Sequence, residues 1–232
     1  MQRKIENGQL HNKKYNCVIF DLGYTLIEHN DDIETRELAN ILNIPYSEEF
    51  KSEIASFWKN AGKYTSNNKI TKEFYYNLIK KHFPYIQKFQ ISPQTFFNAL
   101  CTKSEVGAYP NTEVILKYIY ENNIKIYGLS NWFKDDQIKE LNNLKIDKYF
   151  EDVLGWDNSY AKPDPSTINK YILSKYNNEN VILIGNDLDI DIKCAINAGI
   201  DNVWTNYNNE KNKSQITPTY EIHNLLKLKN II

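Results

Sequence analysis

Cys17-Val18-Ile19-Phe20-Asp21-Leu22-Gly23-Tyr24-Thr25-Leu26 decides how the rest of the chain is read. Apolar strand formers run without a break into an acid and then a glycine. A short apolar run bounded by a turn signal reads as a buried strand, here over 15–20. An aspartate at a strand's carboxyl end lies where open α/β sheets place their ligand sites. Asp21 is therefore a candidate nucleophile, metal ligand or both.

Further strands end the same way. Ile124–Leu129 runs into Ser130-Asn131, and Val181–Ile184 into Gly185-Asn186-Asp187, with shorter strands at Asp152–Leu154 and Val203-Trp204. A last strand and a terminal helix are expected over 220–232. Helices alternate with these strands. One opens at Asn111, a suitable N-cap, and runs to about Asn122; a second spans 134–143. A third follows Asp164-Pro165, an N-cap and an N1 proline, and a fourth closes at Ala198-Gly199. The alternation predicts an α/β fold with a doubly wound, mostly parallel sheet.

Residues 31–104 interrupt that pattern. A helix over about Asp32–Leu42 stops before Pro45. Phe50, Ile54, Phe57, Trp58 and Ala61 then recur at helical spacing. So do Phe74, Tyr75, Leu78, Ile79 and Phe83, and after them Phe96, Phe97, Leu100 and Cys101. Four amphipathic helices with no strand among them predict an inserted helical domain over 29–105. The sheet domain is then 1–28 and 106–232, with a polar, basic arm over its first 14 residues or so.

The balance of 28 Lys and Arg against 29 Asp and Glu favours neither a nucleic acid nor a membrane partner. No apolar stretch reaches the roughly 20 residues of a membrane span, and the start is polar, so a cytoplasmic location is expected. Cys17, Cys101 and Cys194 have no ligand spacing and read as reduced structural thiols. No phosphate-cradling glycine loop of the kinase type is present.

In a parallel sheet all strands end on one edge, which brings together Asp21, Ser130-Asn131 and Asn186-Asp187. Lys162-Pro163-Asp164-Pro165 forms a fourth polar cluster, before a helix. A carboxylate attacking a phosphate dianion meets charge repulsion. A divalent cation held by Asp21 and Asp187 would offset it, with a lysine, a serine hydroxyl and backbone N–H groups on the other oxygens. The product is an acyl phosphate that water opens.

Over nearly its whole length the sequence resembles the haloacid dehalogenase superfamily. Asp21-Leu22-Gly23-Tyr24-Thr25 is similar to the first motif, Leu129-Ser130-Asn131 to the second, Ala161-Lys162-Pro163-Asp164-Pro165 to the third, and Gly185 through Asp191 to the fourth. The resemblance implies a magnesium-dependent phosphatase acting on a small phosphorylated metabolite. Asp21 would be the nucleophile, Lys162 would steady it, and Thr25, Ser130 and Asn131 would help hold the phosphate. Mg2+ would be held by Asp21, the Gly23 carbonyl, Asp187 and Asp191, the last directly or through a neighbour. The helical stretch corresponds to a cap that closes over the substrate, where Trp58, Lys59, Lys63, Tyr64 and Lys69 are candidates for specificity.

Two positions depart from the family pattern. The family's phosphatases usually carry a second aspartate two residues after the nucleophile, as acid and base; here it is Gly23. Glu28, His29 or a cap residue would have to supply that proton, and Gly23→Asp is expected to keep the fold and preserve or raise activity. Asn186 holds the place where the fourth motif often begins with an acid, which makes Asp187 the expected ligand. Two other functions share the scaffold: carbon–halogen hydrolysis, whose enzymes lack the second aspartate and need no metal, and a silent binding or regulatory domain. A calcium loop over Asp187, Asp189 and Asp191 fails on Ile192 and Ala198, where a glycine and a glutamate are required.

Overall fold

β1 (Cys17–Phe20) is central, and its four residues alternate between two buried faces. The computed structural model describes residues 15–65, 68–102, 107–156 and 159–232; the expected polar arm lies outside them. After β1 the chain makes the two-residue β2 (Ile27–Glu28) and enters the helical region. That region comprises α1 (Asp31–Leu42), α2 (Glu48–Thr65), β3 (Lys69–Ile70), α3 (Lys72–His82), α4 (Pro84–Lys88) and α5 (Pro93–Leu100). β4 (Gly107–Ala108) leads out of it, antiparallel to β2, so the ways in and out lie side by side.

The regular alternation follows: α6 (Thr112–Glu121), β5 (Lys125–Leu129), α7 (Lys134–Asn143), β6 (Asp152–Leu154), the short β7 (Ser159–Tyr160) and α8 (Ser166–Tyr171). Then come β8 (Val181–Gly185), a π-helical turn over Leu188–Ile192, α9 (Lys193–Ala198), β9 (Asp201–Thr205) and β10 (Tyr220–Ile222). The six-stranded main sheet has the order β10-β9-β8-β1-β5-β6, with every pairing parallel. A sheet covered on both faces is what such continuous apolar strands require. Val18, Phe20, Ile126 and Ile184 pack with Ile115, Leu116 and Ile119 of α6 and with Leu225 and Leu228 of a terminal 3-10 helix. Cys17, Ile19, Tyr127 and Leu183 pack with Ile168 of α8 and Cys194, Ala195 and Ala198 of α9. All three cysteines are free.

Some local expectations are corrected. The insert holds five helices among its described residues, because Pro84 starts a separate short one, proline at N1 needing no N–H partner. It also holds a strand: β3 pairs antiparallel with β7, strapping the insert to the loop before Lys162. Asn111 stands at the start of α6 but in the left-handed region, φ 70°, and its side chain makes no capping bond. α8 begins one residue later than expected, with the Asp164 carboxylate accepting the Ser166 N–H at 2.8 Å. Gly199 closes α9 at φ 70°, as anticipated.

The insert has its own apolar cluster, built on Leu38, Phe50, Phe57, Tyr75, Phe83 and Phe96. Trp132, Phe133 and Trp156, from the loops after β5 and β6, belong to the same cluster. No described helix is long and apolar enough to cross a membrane.

Candidate active site

β1 lies between β5 and β8, with Phe20 level with Gly128 on one side and Ile184 on the other. The residues that follow these strands therefore emerge together at one edge, at the point where the chain passes from one side of β1 to the other. The Asp21 N–H donates to the Ile184 carbonyl at 2.8 Å, holding the acid in register one step past the strand. The chain then folds back. The Leu22 carbonyl accepts N–H groups from Thr25, Leu26 and Ile27, and Tyr24 adopts φ 59°. That turn returns the Thr25 hydroxyl to Asp21, where it donates to Oδ2 at 2.8 Å.

The other Asp21 oxygen accepts from Lys162 Nζ at 2.6 Å. The same ammonium donates to Asp191 Oδ1 at 2.7 Å and to the Leu129 carbonyl at 2.9 Å. Its three protons are thus all used, which is what a buried lysine requires. Asn131 fixes the backbone from which Lys162 extends: its Oδ1 accepts the Lys162 N–H at 2.8 Å and its Nδ2 donates to the Lys162 carbonyl at 3.1 Å. Asp191 Oδ2 accepts the Asp187 N–H at 3.0 Å. Gly185 is what lets Asp191 fold beneath the strand end. A Cβ there would lie 2.4–2.6 Å from the Asp191 side chain.

Charge follows from this packing. Burial, with Asp191 nearby, pushes the Asp21 carboxyl up to about 6, against the lowering pull of Lys162. Burial would lower Lys162, but its ion pairs with Asp191 and Asp21 outweigh that and hold it above the ordinary lysine value. Asp187 is raised by burial and by Asp191, against the two backbone N–H groups it accepts.

Asp21, Thr25, Lys162 and Asp191 thus form one connected network. Ser130 is buried at the end of β5, its N–H bonded to the Leu154 carbonyl. Asn131 acts on Lys162, and Gly23 lies in the turn beside His29. Asp187 Oδ1 accepts the N–H groups of Asp189 and Ile190, at 2.8 and 2.9 Å, and so caps the π-helical turn. It is Asn186 whose side-chain oxygen comes within 3.3 Å of the Thr25 hydroxyl. The Asn186 backbone is held in turn by the Trp204 indole N–H, 2.8 Å from its carbonyl. Asn186 thus holds, beside Thr25, the place where the fourth motif often begins with an acid. The sequence carries no signal for Tyr207, whose hydroxyl donates to the Thr25 carbonyl at 2.7 Å.

The donors at this edge are carboxylate, amide and carbonyl oxygens, a set whose chemistry suits Mg2+. Among the described residues no three His, Cys, Asp or Glu side chains gather as a metal cluster. The oxygens that meet beside Thr25 come from one carboxylate and one neutral amide, so the fit is one of low ligand charge.

The sequence profile described as haloacid dehalogenase-like hydrolase matches residues 18–205. A Bacillus subtilis (strain 168) protein named as a HAD-hydrolase, YfnB, is 24% identical over 234 residues, spanning 95% of this chain and 96% of its own. Its magnesium-bound crystal structure is similar with a TM-score of 0.75 at 20% identity, over 94% of this chain and 98% of that one. Pyrimidine 5'-nucleotidase PynA of Streptococcus pneumoniae (strain ATCC BAA-255 / R6) is 25% identical over 220 residues, 90% of this chain and 91% of PynA. A 2-haloacid dehalogenase from Pseudomonas syringae pv. Tomato DC3000 has the same fold, with a TM-score of 0.64 at 19% identity over 94% and 97% of the two chains.

Proposed function

The chain belongs to the haloacid dehalogenase-like hydrolases, and from that premise we propose that it is a magnesium-dependent phosphatase of a small phosphomonoester. The observation that carries this reading is the Lys162 ammonium bonded at once to Asp21 and Asp191, with Thr25 on the second Asp21 oxygen. A nucleophilic carboxylate so held is fixed in orientation before substrate arrives. The pyrimidine 5'-nucleotidase among the relatives supports a phosphate ester over a carbon–halogen bond. The near balance of charge supports a small metabolite over a nucleic acid or membrane, and the polar composition a cytoplasmic enzyme. Residues 29–105 are read as the cap, with β2 and β4 as its two stems.

In this mechanism an Asp21 carboxylate oxygen attacks phosphorus and the ester oxygen departs. The Ser130 hydroxyl and the backbone N–H groups beyond β5 hold the non-bridging oxygens. Lys162 offsets the charge between Asp21 and the incoming phosphate, and Asn131 keeps Lys162 in place. Mg2+, when bound, neutralises phosphate charge and polarises its oxygens. Asp21, the Gly23 carbonyl and Asn186 are the groups assigned to it. Asp191 supports them through Lys162 and the Asp187 N–H, and Asp187 itself is left to the turn. Water then opens the aspartyl phosphate.

The test is hydrolysis of p-nitrophenyl phosphate with and without Mg2+, beside an Asp21→Asn control. The variant should lose at least about a thousandfold in turnover, as expected when a covalent nucleophile is removed. Equal rates in the two proteins would overturn the reading. A panel of sugar, nucleotide and small-acid phosphates then identifies the substrate class.

A further inference from the structure

We propose that His29, oriented by Glu34, is the proton donor and acceptor that stands in for the carboxylate missing at position 23; this rests on the phosphatase reading above. A Cβ built on Gly23 would lie 3.2 Å from His29 Nε2 and 3.5 Å from its Cδ2, with no other non-neighbouring atom within 4 Å. The space that a side chain at 23 would enter is thus already faced by an imidazole nitrogen. The opposite nitrogen, Nδ1, lies 2.9 Å from Glu34 Oε1, in a pair whose side chains are only 9% and 15% exposed. Glu34 is itself fixed: the same Oε1 accepts the Asn30 N–H at 3.1 Å, and the Glu34 N–H donates to the Asn30 carbonyl at 2.9 Å. The Tyr24 ring packs on the imidazole at 5.0 Å.

An imidazole with a carboxylate on one nitrogen and the reaction on the other is the arrangement that general acid–base work calls for. Glu28, by contrast, is exposed on β2 and stands over Gly107, its Oε2 3.6 Å from a Cβ built there. In the first half-reaction a bond forms between Asp21 oxygen and phosphorus, and the bond from phosphorus to the ester oxygen breaks. The electron pair stays on that oxygen, which takes the proton from imidazolium Nε2 and leaves as the alcohol. In the second half a water oxygen bonds to phosphorus, its proton passes to Nε2, and the Asp21–phosphorus bond breaks. Carboxylate and imidazolium are both restored.

The rival account makes the His29–Glu34 pair a brace at the start of α1, with no part in the chemistry. The acidity of the leaving group separates the two. An alkyl alcohol needs a proton as it departs, whereas p-nitrophenolate does not. His29→Ala should therefore lower turnover of an alkyl ester such as glycerol phosphate by about 10²–10⁴, the range for general acid help, and that of p-nitrophenyl phosphate by less than about tenfold. Adding Gly23→Asp to His29→Ala, where the ring no longer crowds the new side chain, should recover at least about tenfold on glycerol phosphate. Glu34→Gln, which keeps the shape of the pair, should show the same bias between esters at smaller size. Equal losses on both esters, no loss on either, or no recovery in the double variant would overturn the proposal. A wild-type protein that hydrolyses neither ester would instead overturn the phosphatase reading beneath it.

Discussion

The carboxyl edge of the sheet and the helical insert are held together by opposite means. At the edge, buried charges are bonded to one another and to backbone: Lys162 reaches Asp21, Asp191 and the Leu129 carbonyl, and Asp191 reaches back to the Asp187 N–H. In the insert, rings meet rings. Phe57 packs on Phe83 at 4.7 Å, Phe83 on Phe96 at 4.7 Å, and Tyr75 on Phe97 at 5.7 Å. Polar atoms within that cluster, the Tyr75 hydroxyl and His82 Nε2, have no hydrogen-bond partner in the structure. Each donor displaced from a buried polar network costs roughly 1–3 kcal/mol, so such a network permits few alternatives. An apolar cluster accepts many combinations of similar volume. Position is specified at the edge, and shape is left adjustable in the insert.

Substitution of Lys162 tests the first half of that contrast and should have the largest effect. Lys162→Ala leaves Asp21 and Asp191 buried with no counter-charge, which costs about 3–5 kcal/mol when one partner of a buried pair is removed. Urea unfolding should show that loss, and phosphatase turnover should disappear with it. A variant of wild-type stability would mean that the edge is as adjustable as the insert. Phe57→Ala should cost a similar or somewhat smaller amount, about 3–5 kcal/mol according to how far the cluster collapses. Its signature differs: well below the unfolding midpoint, turnover of p-nitrophenyl phosphate should stay within severalfold of wild type, since no edge contact is touched. A loss as deep as that of Lys162→Ala would show that packing in the insert sets the geometry of the edge.

The two regions were also unequally legible in the sequence. α7 and β6 match their expected bounds, because apolar spacing and flanking turn residues agree there. In the insert the apolar rhythm continues from Phe83 to Ile86 across a helix boundary, so only Pro84 signals that α3 has ended and α4 begun. β3 and β7 have two residues each, too few to carry any period, and exist only because they meet. At the edge, Asp21, Ser130 and Lys162 were legible because each stands at a strand end or within a strong local motif. The orientation of Asp187 was not: the way β8 enters the π-helical turn directs its Oδ1 to the N–H groups of Asp189 and Ile190. The placement of His29 was beyond sequence for another reason: it is defined by the space above a residue with no side chain.

The smallest effect is a pH dependence whose sign differs between the regions. Asp21 ordinarily loses its proton near 3.8 and is pushed up to about 6 by burial and Asp191, despite Lys162. Between those values the folded chain holds a proton that the unfolded chain has released, so Asp21 makes stability fall as pH rises from about 4 to about 6. His82, stacked on Tyr64 at 4.0 Å in the insert, is lowered from 6.5 by burial and by Lys81. Just below pH 6.5 it is the unfolded chain that holds the extra proton, and His82 makes stability rise with pH there. Without Mg2+, the urea midpoint of Asp21→Asn should therefore decline less than wild type between pH 4 and 6, and that of His82→Gln should rise less as pH approaches 6.5. If both variants parallel wild type throughout, neither burial governs the charge of its group. If only the Asp21 difference survives, the edge alone carries a cost of ionisation, and water reaches the histidine of the insert.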